Sequence, residues 1–250
     1  MLQKIELLGN LTSSNYEYDA RQAQMIVDAI LSAVADLKRK FEKAKKVYYS
    51  PGSCALGIHV LLEEVGAPYE LKRLNFAERE QYGEVYLAIN PKSKVPTLER
   101  DDGSVLTEFQ AISTYLALTH PEKRLIPTDV ERQTRMIEAM DYVVGTIHGQ
   151  GFRLVFRPMD YASSEADQDA IKARGMERAN RGLSLMDKDF AGKDWIVGDF
   201  SLADPALFYV SWWAAARLKT GLPANVQKHF ERMMDRSSVK KALKDEGLSL

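Results

Sequence analysis

The segment from residue 47 to residue 56 reads VYYSPGSCAL and contains the only cysteine of the chain, Cys54. Its β-rich start, Val47–Tyr49, runs into a Pro-Gly pair, and apolar residues then recur at helical spacing from Leu56 to Val65. This pattern predicts a strand, a tight turn and a helix, with Cys54 at the helix N-terminus. Free backbone N–H groups and the positive end of the helix dipole lower the pKa of a thiol placed there. We therefore expect a reactive thiolate; the alternative is a small buried apolar residue.

The composition of the 250-residue chain is that of a globular protein large enough for two domains. Its formal net charge of -1 gives no reason to expect nucleic acid or a membrane surface as a partner. One cysteine excludes an internal disulfide framework and a multi-cysteine metal site, and we expect no bound metal. No apolar run is long enough to span a membrane, and Met1–Glu6 lacks the pattern of a secretory signal. We therefore expect a cytoplasmic protein.

Residues 1–45 are predicted to form an N-terminal extension with an amphipathic helix. From Asp19 onward apolar residues recur at spacings of three and four, at Ile26, Ile30, Ala33, Leu37 and Phe41. This stripe would pack either on the body of the protein or on a second subunit. We interpret the basic run at residues 38–46 as cations that complement the helix C-terminus, with a binding patch as the alternative.

Residues 46–122 alternate strand and helix patterns in the order βαβαββα, which indicates an α/β domain. A polar helix is predicted around Glu78–Leu87, and an Asp-Gly pair at residues 102–103 predicts a hairpin. A linker is expected at His120–Asp129, which contains two prolines. Residues 129–250 are predicted to be helical throughout. The long periodic segments there are Glu131–Phe156, Glu165–Phe190, Ala203–Leu218 and Val226–Met234.

Four motifs in this chain resemble those of one known family. They read YYSPGSCAL at residues 48–56, NPKSKVPTL at 90–98, LTEFQAI at 106–112 and FSLAD at 200–204. Together and in this order they resemble the bacterial glutathione transferases, nearest the beta class, which uses a cysteine. The resemblance runs from about residue 46 to the C-terminus, and the N-terminal extension lies outside it. It implies the glutathione transferase fold, in which a thioredoxin-like α/β domain is followed by an all-α domain.

The resemblance also implies that glutathione is the co-substrate. Cys54 would lie beside its sulfur and form a mixed disulfide or a hydrogen bond with it. Val95-Pro96 occupies the family's cis-proline position, from which the backbone of Val95 pairs with the cysteinyl part of glutathione. Glu108 would face the γ-glutamyl ammonium, the alternative being a stabilising acid in a first helical turn. Phe109 replaces a serine that binds the γ-glutamyl carboxylate in the family, so backbone N–H groups alone remain there.

Two further residues are placed by the resemblance. Arg79 lies near a position where the beta class has a lysine that contacts the glycyl carboxylate; the alternative is a solvated surface residue. His148 would face the thiol across the cleft as a second catalytic residue. Alignment on Phe152 puts it one position out of register, so a packing role is the alternative. Gln150 and Arg153 are further candidates for the cleft wall.

Other polar and aromatic residues are interpreted as structural. Ser201 and Asp204 have the spacing of a capping box, in which the serine caps the helix and the acid reaches back. His59 lies inside the first predicted helix and is interpreted as a packing residue. The aromatic residues of a later helix are assigned to the core: Phe208, Tyr209, Trp212 and Trp213.

Three functions are compatible with this resemblance. In the first, a homodimeric enzyme of detoxification directs a glutathione thiolate at a small hydrophobic electrophile. In the second, Cys54 forms a mixed disulfide with glutathione, which a second glutathione must release because the chain has no other cysteine. In the third, the chain is a binding protein without catalysis, which Phe109 and the register of His148 favour.

Overall fold

Helix α1 of the computed structural model spans Ala20–Arg39, within the predicted N-terminal extension. The structure describes residues 19–39 and 43–249, so the predictions for Met1–Glu6, Lys40 and Phe41 lie outside the described residues. Asp19 Oδ1 accepts the backbone N–H of Gln22 at 2.7 Å, and the Gln22 side chain accepts that of Asp19 at 3.2 Å. This reciprocal pair is a capping box that begins the helix. Helix α1 belongs to one compact unit of the chain, and residues 42–250 form another.

Among the described residues of the second unit, four strands form one sheet in the order β2-β1-β3-β4. Strand β1 pairs in parallel with β2 and antiparallel with β3, and β3 pairs antiparallel with β4. The strands are β1 Lys45–Tyr49, β2 Tyr69–Arg73, β3 Thr97–Glu99 and β4 Val105–Thr107. The helices between and after them are α2 Ala55–Val65, α3 Glu84–Leu87 and α4 Phe109–Thr119. The predicted βαβαββα order is confirmed, although the polar helix predicted around Glu78–Leu87 is a 3-10 turn at Glu80–Tyr82 followed by α3.

Strand β1 begins earlier than predicted and includes two residues of the basic run. Lys45 is buried and its Nζ lies 3.7 Å from Asp101 Oδ1. Lys46 points the opposite way, and its Nζ lies 2.7 Å from Glu99 Oε1 on the neighbouring strand. The interpretation of these two lysines as partners of a helix C-terminus is therefore wrong. They form ion pairs from the two faces of an extended strand.

From Val130 onward the described chain is helical. The α-helices are α5 Val130–Asp141, α6 Arg153–Phe156, α7 Glu165–Asp189, α8 Ala203–Trp212, α9 Ala224–Asp235 and α10 Ser237–Glu246. Two further segments, Tyr142–Phe152 and Trp213–Arg217, are wound as π-helices that continue α5 and α8. Short 3-10 turns occur at Pro121–Lys123 and Pro158–Asp160. None of the helices in the described ranges is both long and apolar enough to cross a lipid bilayer.

A continuous hydrophobic core joins the sheet to the helices that follow it. Helix α2 is buried along almost its whole length and packs against α8 and α10. A Cβ at Gly57 would lie 2.7 Å from a ring carbon of Phe109 and 2.8 Å from the carbonyl oxygen of Pro205. Only glycine permits this close approach of α2 to α8. Helices α2 and α8, which support opposite walls of the cleft described below, are therefore in direct contact.

A buried carboxylate organises the start of α8. Asp204 Oδ2 accepts the backbone N–H and the hydroxyl of Ser201 at 2.7 and 3.0 Å, and Oδ1 accepts the backbone N–H of Ile196 at 3.1 Å. His229 Nε2 lies 3.0 Å from the same Oδ1. The reach-back half of the predicted capping box is thus present. Ser201 Oγ donates to the carboxylate and does not cap the helix.

We predict that Asp204→Ala lowers the free energy of unfolding by about 3 kcal/mol, because it leaves several buried donors without an acceptor. Urea denaturation followed by circular dichroism measures the change. Asp199→Ala is the matched control, since its carboxylate is mostly exposed and should contribute less than about 1 kcal/mol. Equal effects of the two substitutions would contradict the structural role of Asp204.

Candidate active site

A cleft of about 690 Å³ separates the sheet region from the helical region of the second unit. Its first wall includes Cys54, Val95 and Glu108, and its second wall includes His148 and Trp213. The volume lies within the usual range for small-molecule sites. The structure thus brings most of the predicted site residues to one cavity.

Cys54 immediately precedes α2 and is partly buried on the first wall. Its Sγ donates a hydrogen bond to the carbonyl oxygen of Val95 at 3.3 Å. Burial raises the pKa of Cys54 and the charge of Glu108 adds to the rise, while the backbone N–H groups of Cys54 and Ala55 and the charge of Lys94 oppose it, so that the pKa is about 12. The predicted lowering of the pKa is therefore wrong. The helix terminus acts in the expected direction, but the loss of solvation outweighs it.

The Val95-Pro96 peptide bond is cis, as the resemblance predicts. Two buried side chains hold the preceding turn: Tyr86 Oη donates to the carbonyl of Lys94 at 2.6 Å, and Asn90 Nδ2 donates to it at 2.8 Å. Both side chains also contact Thr97 Oγ1 at the start of β3. These contacts fix the Val95 carbonyl beside the thiol. The sequence analysis did not identify this role of Tyr86. The only indication in the sequence is that Tyr86 is an aromatic residue within a polar segment.

Glu108 and Phe109 begin α4 at the edge of the cleft. Glu108 has a positive φ of 72°, and its carboxylate accepts a hydrogen bond from Lys92 Nζ at 2.8 Å. The Phe109 ring is almost fully buried, 5.3 Å from the Tyr209 ring between centroids. Phe109 thus joins the core as well as lining the cleft. The first backbone N–H groups of a helix lack partners within it, so the start of α4 offers donors even without a hydroxyl.

His148 lines the second wall of the cleft. Its Nδ1 lies 3.1 Å from Tyr209 Oη, and its ring meets the Trp213 ring edge-on with centroids 4.8 Å apart. Burial lowers the pKa of His148 to about 4, with smaller contributions from Arg153 and Lys94. The imidazole is therefore neutral at physiological pH.

The π-helical winding of Tyr142–Phe152 explains which residues of this segment reach the cleft. They are Val144, His148, Gly149 and Arg153, whose spacings of four and five match hydrogen bonds from residue i to i+5. An α-helix would turn Arg153 to the face opposite Val144. The predicted register of His148 assumed an α-helix. Gln150, the other wall candidate, is exposed outside the cleft lining.

Trp213 belongs to the core, as predicted, and it also lines the cleft. Its indole N–H donates to the carbonyl of Gly52 at 2.7 Å. On the other side of the same residue, the Gly52 N–H donates to the buried carboxylate of Glu246 at 2.9 Å. Gly52 has a φ of 66°, and a Cβ there would lie 2.8 Å from the ring of Trp212, the residue before Trp213. Glycine is therefore required in this turn, two residues before Cys54.

The remaining candidates lie away from the cleft. The Arg79 side chain is exposed outside the cleft lining, with its guanidinium 5.2 Å from the centre of the Tyr82 ring, which does line the cleft. His59 is buried inside α2, where its Nδ1 lies 3.0 Å from Glu246 and its Nε2 lies 2.9 Å from Tyr69 Oη. These contacts agree with the predicted packing role of His59.

Comparison with known proteins relates this site to others. The family description "Glutathione S-transferase, N-terminal domain" matches residues 51–119. The glutathione S-transferase GstA of Escherichia coli O157:H7 is 33% identical over 207 residues, which cover 81% of this chain and 99% of GstA. The chain belongs to the glutathione transferase family. Another member, GST-4.5 of Xanthomonas campestris, is 31% identical over 212 residues, covering 82% of this chain and all of that protein.

Solved structures of the family have the same fold. A glutathione transferase homologue from Sulfitobacter, crystallised with bound glutathione, has a TM-score of 0.75 at 31% identity, covering 82% of this chain and 99% of its own. The beta-class glutathione S-transferase of Sphingomonas chungbukensis has a TM-score of 0.70 at 32% identity, covering 82% of this chain and all of its own.

We predict that Cys54 is alkylated slowly at neutral pH and faster as the pH rises. Since the thiolate is the nucleophile and the pKa is about 12, the rate should rise about tenfold per unit from about pH 7 to pH 10. Iodoacetamide labelling followed by mass spectrometry measures this rate without a competing thiol. The urea-unfolded chain is the control, since its thiol titrates near about pH 8.5. A midpoint below about pH 9 in the folded protein would contradict the prediction.

Proposed function

We propose that this chain is an enzyme that binds glutathione in the cleft and joins it through its sulfur to a small electrophile. The observation that carries the proposal is the juxtaposition of Cys54 with the cis Val95-Pro96 turn, where thiol and backbone carbonyl are 3.3 Å apart. An extended peptide can pair with such an exposed backbone edge as an added strand. The cysteinyl part of glutathione would pair with Val95, which places its sulfur next to Cys54.

Charged groups on the first wall suit the ends of glutathione. Glu108 would face the γ-glutamyl ammonium, in competition with its present partner Lys92. The backbone N–H groups at the start of α4 would donate to the neighbouring carboxylate, in place of the serine hydroxyl that Phe109 lacks. Lys94, which lines the cleft beside the turn, supplies a cation near the glutathione sulfur. Arg79 would reach glutathione only by a change of side-chain conformation.

The high pKa of Cys54 favours a hydrogen-bonding role over a covalent one. A neutral thiol can turn its S–H from the Val95 carbonyl to the glutathione sulfur and stabilise a thiolate there. The N-terminus of α2 stabilises the same negative charge. The glutathione sulfur then forms a bond to the electrophilic carbon, and the leaving group departs with its electron pair. The thiol proton of glutathione passes to solvent, because the low pKa of His148 makes its imidazole a weak base.

Thiol–disulfide exchange is the second candidate, because the thiol lies where the glutathione sulfur would lie. That reaction needs a Cys54 thiolate to attack a disulfide, and burial makes this species scarce. We therefore prefer conjugation to exchange as the reaction of this protein.

A role in binding without catalysis is the third candidate. The homodimer, the detoxification role and the cytoplasmic location remain predictions from sequence.

We predict that Cys54→Ser retains conjugation of 1-chloro-2,4-dinitrobenzene within about tenfold of the natural protein, because a hydroxyl still donates. Cys54→Ala is the matched variant without a donor, and we expect it to fall about tenfold further. Both variants should lose glutathione-dependent reduction of hydroxyethyl disulfide. Absorbance assays of the two reactions test this. If Cys54→Ser abolished conjugation, and if disulfide reduction were the dominant activity of the natural protein, Cys54 would have the covalent role instead.

We also predict that glutathione binds with a millimolar or lower dissociation constant and that Glu108→Gln weakens binding about fivefold, because one charged partner is removed. Isothermal titration calorimetry measures both. Glu84→Gln changes an exposed acid outside the cleft lining and serves as the control. Absence of glutathione binding at millimolar concentration would overturn both enzymatic candidates.

A further inference from the structure

The second wall of the cleft carries an excess of positive charge that glutathione binding does not use in our proposal. Three guanidinium groups line this wall: Arg153, Arg157 and Arg217. Arg153 lies 3.7 Å from Asp160, and Arg157 donates to the same carboxylate at 3.2 Å. Among the residues that the structure describes, Arg217 forms no ion pair. One carboxylate, that of Asp160, thus pairs with two of the three cations on this wall and leaves Arg217 without an acidic partner in the described part of the chain.

Arg217 is exposed where it lines the cleft, and its side chain lies against an apolar surface. Its guanidinium is 4.4 Å from the centre of the Phe156 ring, and Phe156 meets the Trp213 ring edge-on with centroids 5.2 Å apart. Loss of solvation lowers the pKa of Arg217, although the group stays charged at neutral pH. A cation that is stacked on an aromatic ring and has no carboxylate partner can bind the anionic group of a planar, otherwise apolar molecule.

The position of Arg217 separates it from the proposed glutathione site. Glutathione would lie along Val95 and Glu108 on the first wall. Arg157 contacts Tyr82, which belongs to the sheet region, and could therefore also meet glutathione. Arg217 instead ends the second π segment, beyond Trp213, on the wall formed by helices. The electrophile would occupy this part of the cleft.

We propose that the electrophile is an aryl or similarly planar compound that carries a carboxylate, with Arg217 as the residue that selects the negative charge. This inference rests on the proposed function. It keeps the apolar part of the predicted electrophile and adds a carboxylate to it. The planar body would pack against Phe156 and Trp213, and the carboxylate would accept hydrogen bonds from Arg217. Arg153 is near enough to His148 to influence its pKa, so it adds positive charge at the inner end of the same wall.

The test uses two electrophiles that differ mainly in charge, 4-chloro-3,5-dinitrobenzoate and its methyl ester. In both, a sulfur–carbon bond forms, the carbon–chlorine bond breaks, chloride leaves with the electron pair, and the thiol proton of glutathione passes to solvent. The value of kcat/KM at saturating glutathione is divided by the uncatalysed rate constant for each compound. We expect the corrected value for the acid to exceed that for the ester by about tenfold in the natural protein.

Arg217→Gln should remove this preference by lowering the corrected value for the acid about tenfold, while that for the ester changes less than about twofold. Arg178→Gln on the exposed face of α7 is the matched control and should leave the ratio unchanged.

A second measurement uses the natural protein and therefore does not depend on whether a variant folds. Raising the ionic strength from about 0.02 M to about 0.5 M should raise KM for the acid more than for the ester.

Two results would overturn the inference: a natural protein that does not prefer the acid to the ester, or an acid-to-ester ratio that Arg217→Gln leaves unchanged in a folded variant. Failure of the proposed function has a different signature. In that case neither compound is conjugated and calorimetry detects no glutathione binding. Conjugation of the ester with binding of glutathione, but without preference for the acid, refutes the acidic electrophile and leaves the transferase function intact.

Discussion

The hydrogen bonds on either side of Gly52 are the constraint on which the site depends. Glu246, which lies 194 positions later in the chain, accepts its N–H, and Trp213 donates to its carbonyl. The other oxygen of Glu246 contacts His59 inside α2. The turn before Cys54 is therefore held by the last helix, by the cleft wall and, through Glu246, by the helix that Cys54 begins. The position of the Cys54 thiol therefore depends on contacts that are spread over the whole second unit.

Low solvation determines the chemical state of the reactive groups in the cleft. Cys54 and His148 would both be partly charged near neutral pH if solvated, yet burial shifts their pKa values in opposite directions and leaves both neutral. The guanidinium groups of the second wall keep their charge, because burial cannot neutralise them. The cleft thus combines a neutral thiol and a neutral imidazole with positive charge from Lys94 on the first wall and from guanidinium groups on the second. Such a combination suits a reaction in which an anionic sulfur forms only after the substrate has bound.

Sequence patterns predicted the strand and helix order well, because periodicity and Gly-Pro turns are local signals. The cis Val95-Pro96 bond was predictable only from the family resemblance, since a trans bond is the usual state. The pKa of Cys54 was predicted wrongly because helix position can be read locally, whereas burial depends on distant residues. The contacts of Gly52 with Glu246 and Trp213 were invisible for the same reason. The register of His148 could not be derived from a helical period that the segment does not follow.

The π winding of Tyr142–Phe152 has a consequence for how this cleft could diverge among relatives. A π-helix accommodates more residues per turn than an α-helix, so removal of one residue can restore α winding. Residues beyond that point would then rotate by about 100° relative to those before it. Arg153 would leave the cleft while the residues before the deletion stayed in place. A single deletion, without any substitution of a wall residue, would thereby give the same fold a different charge lining.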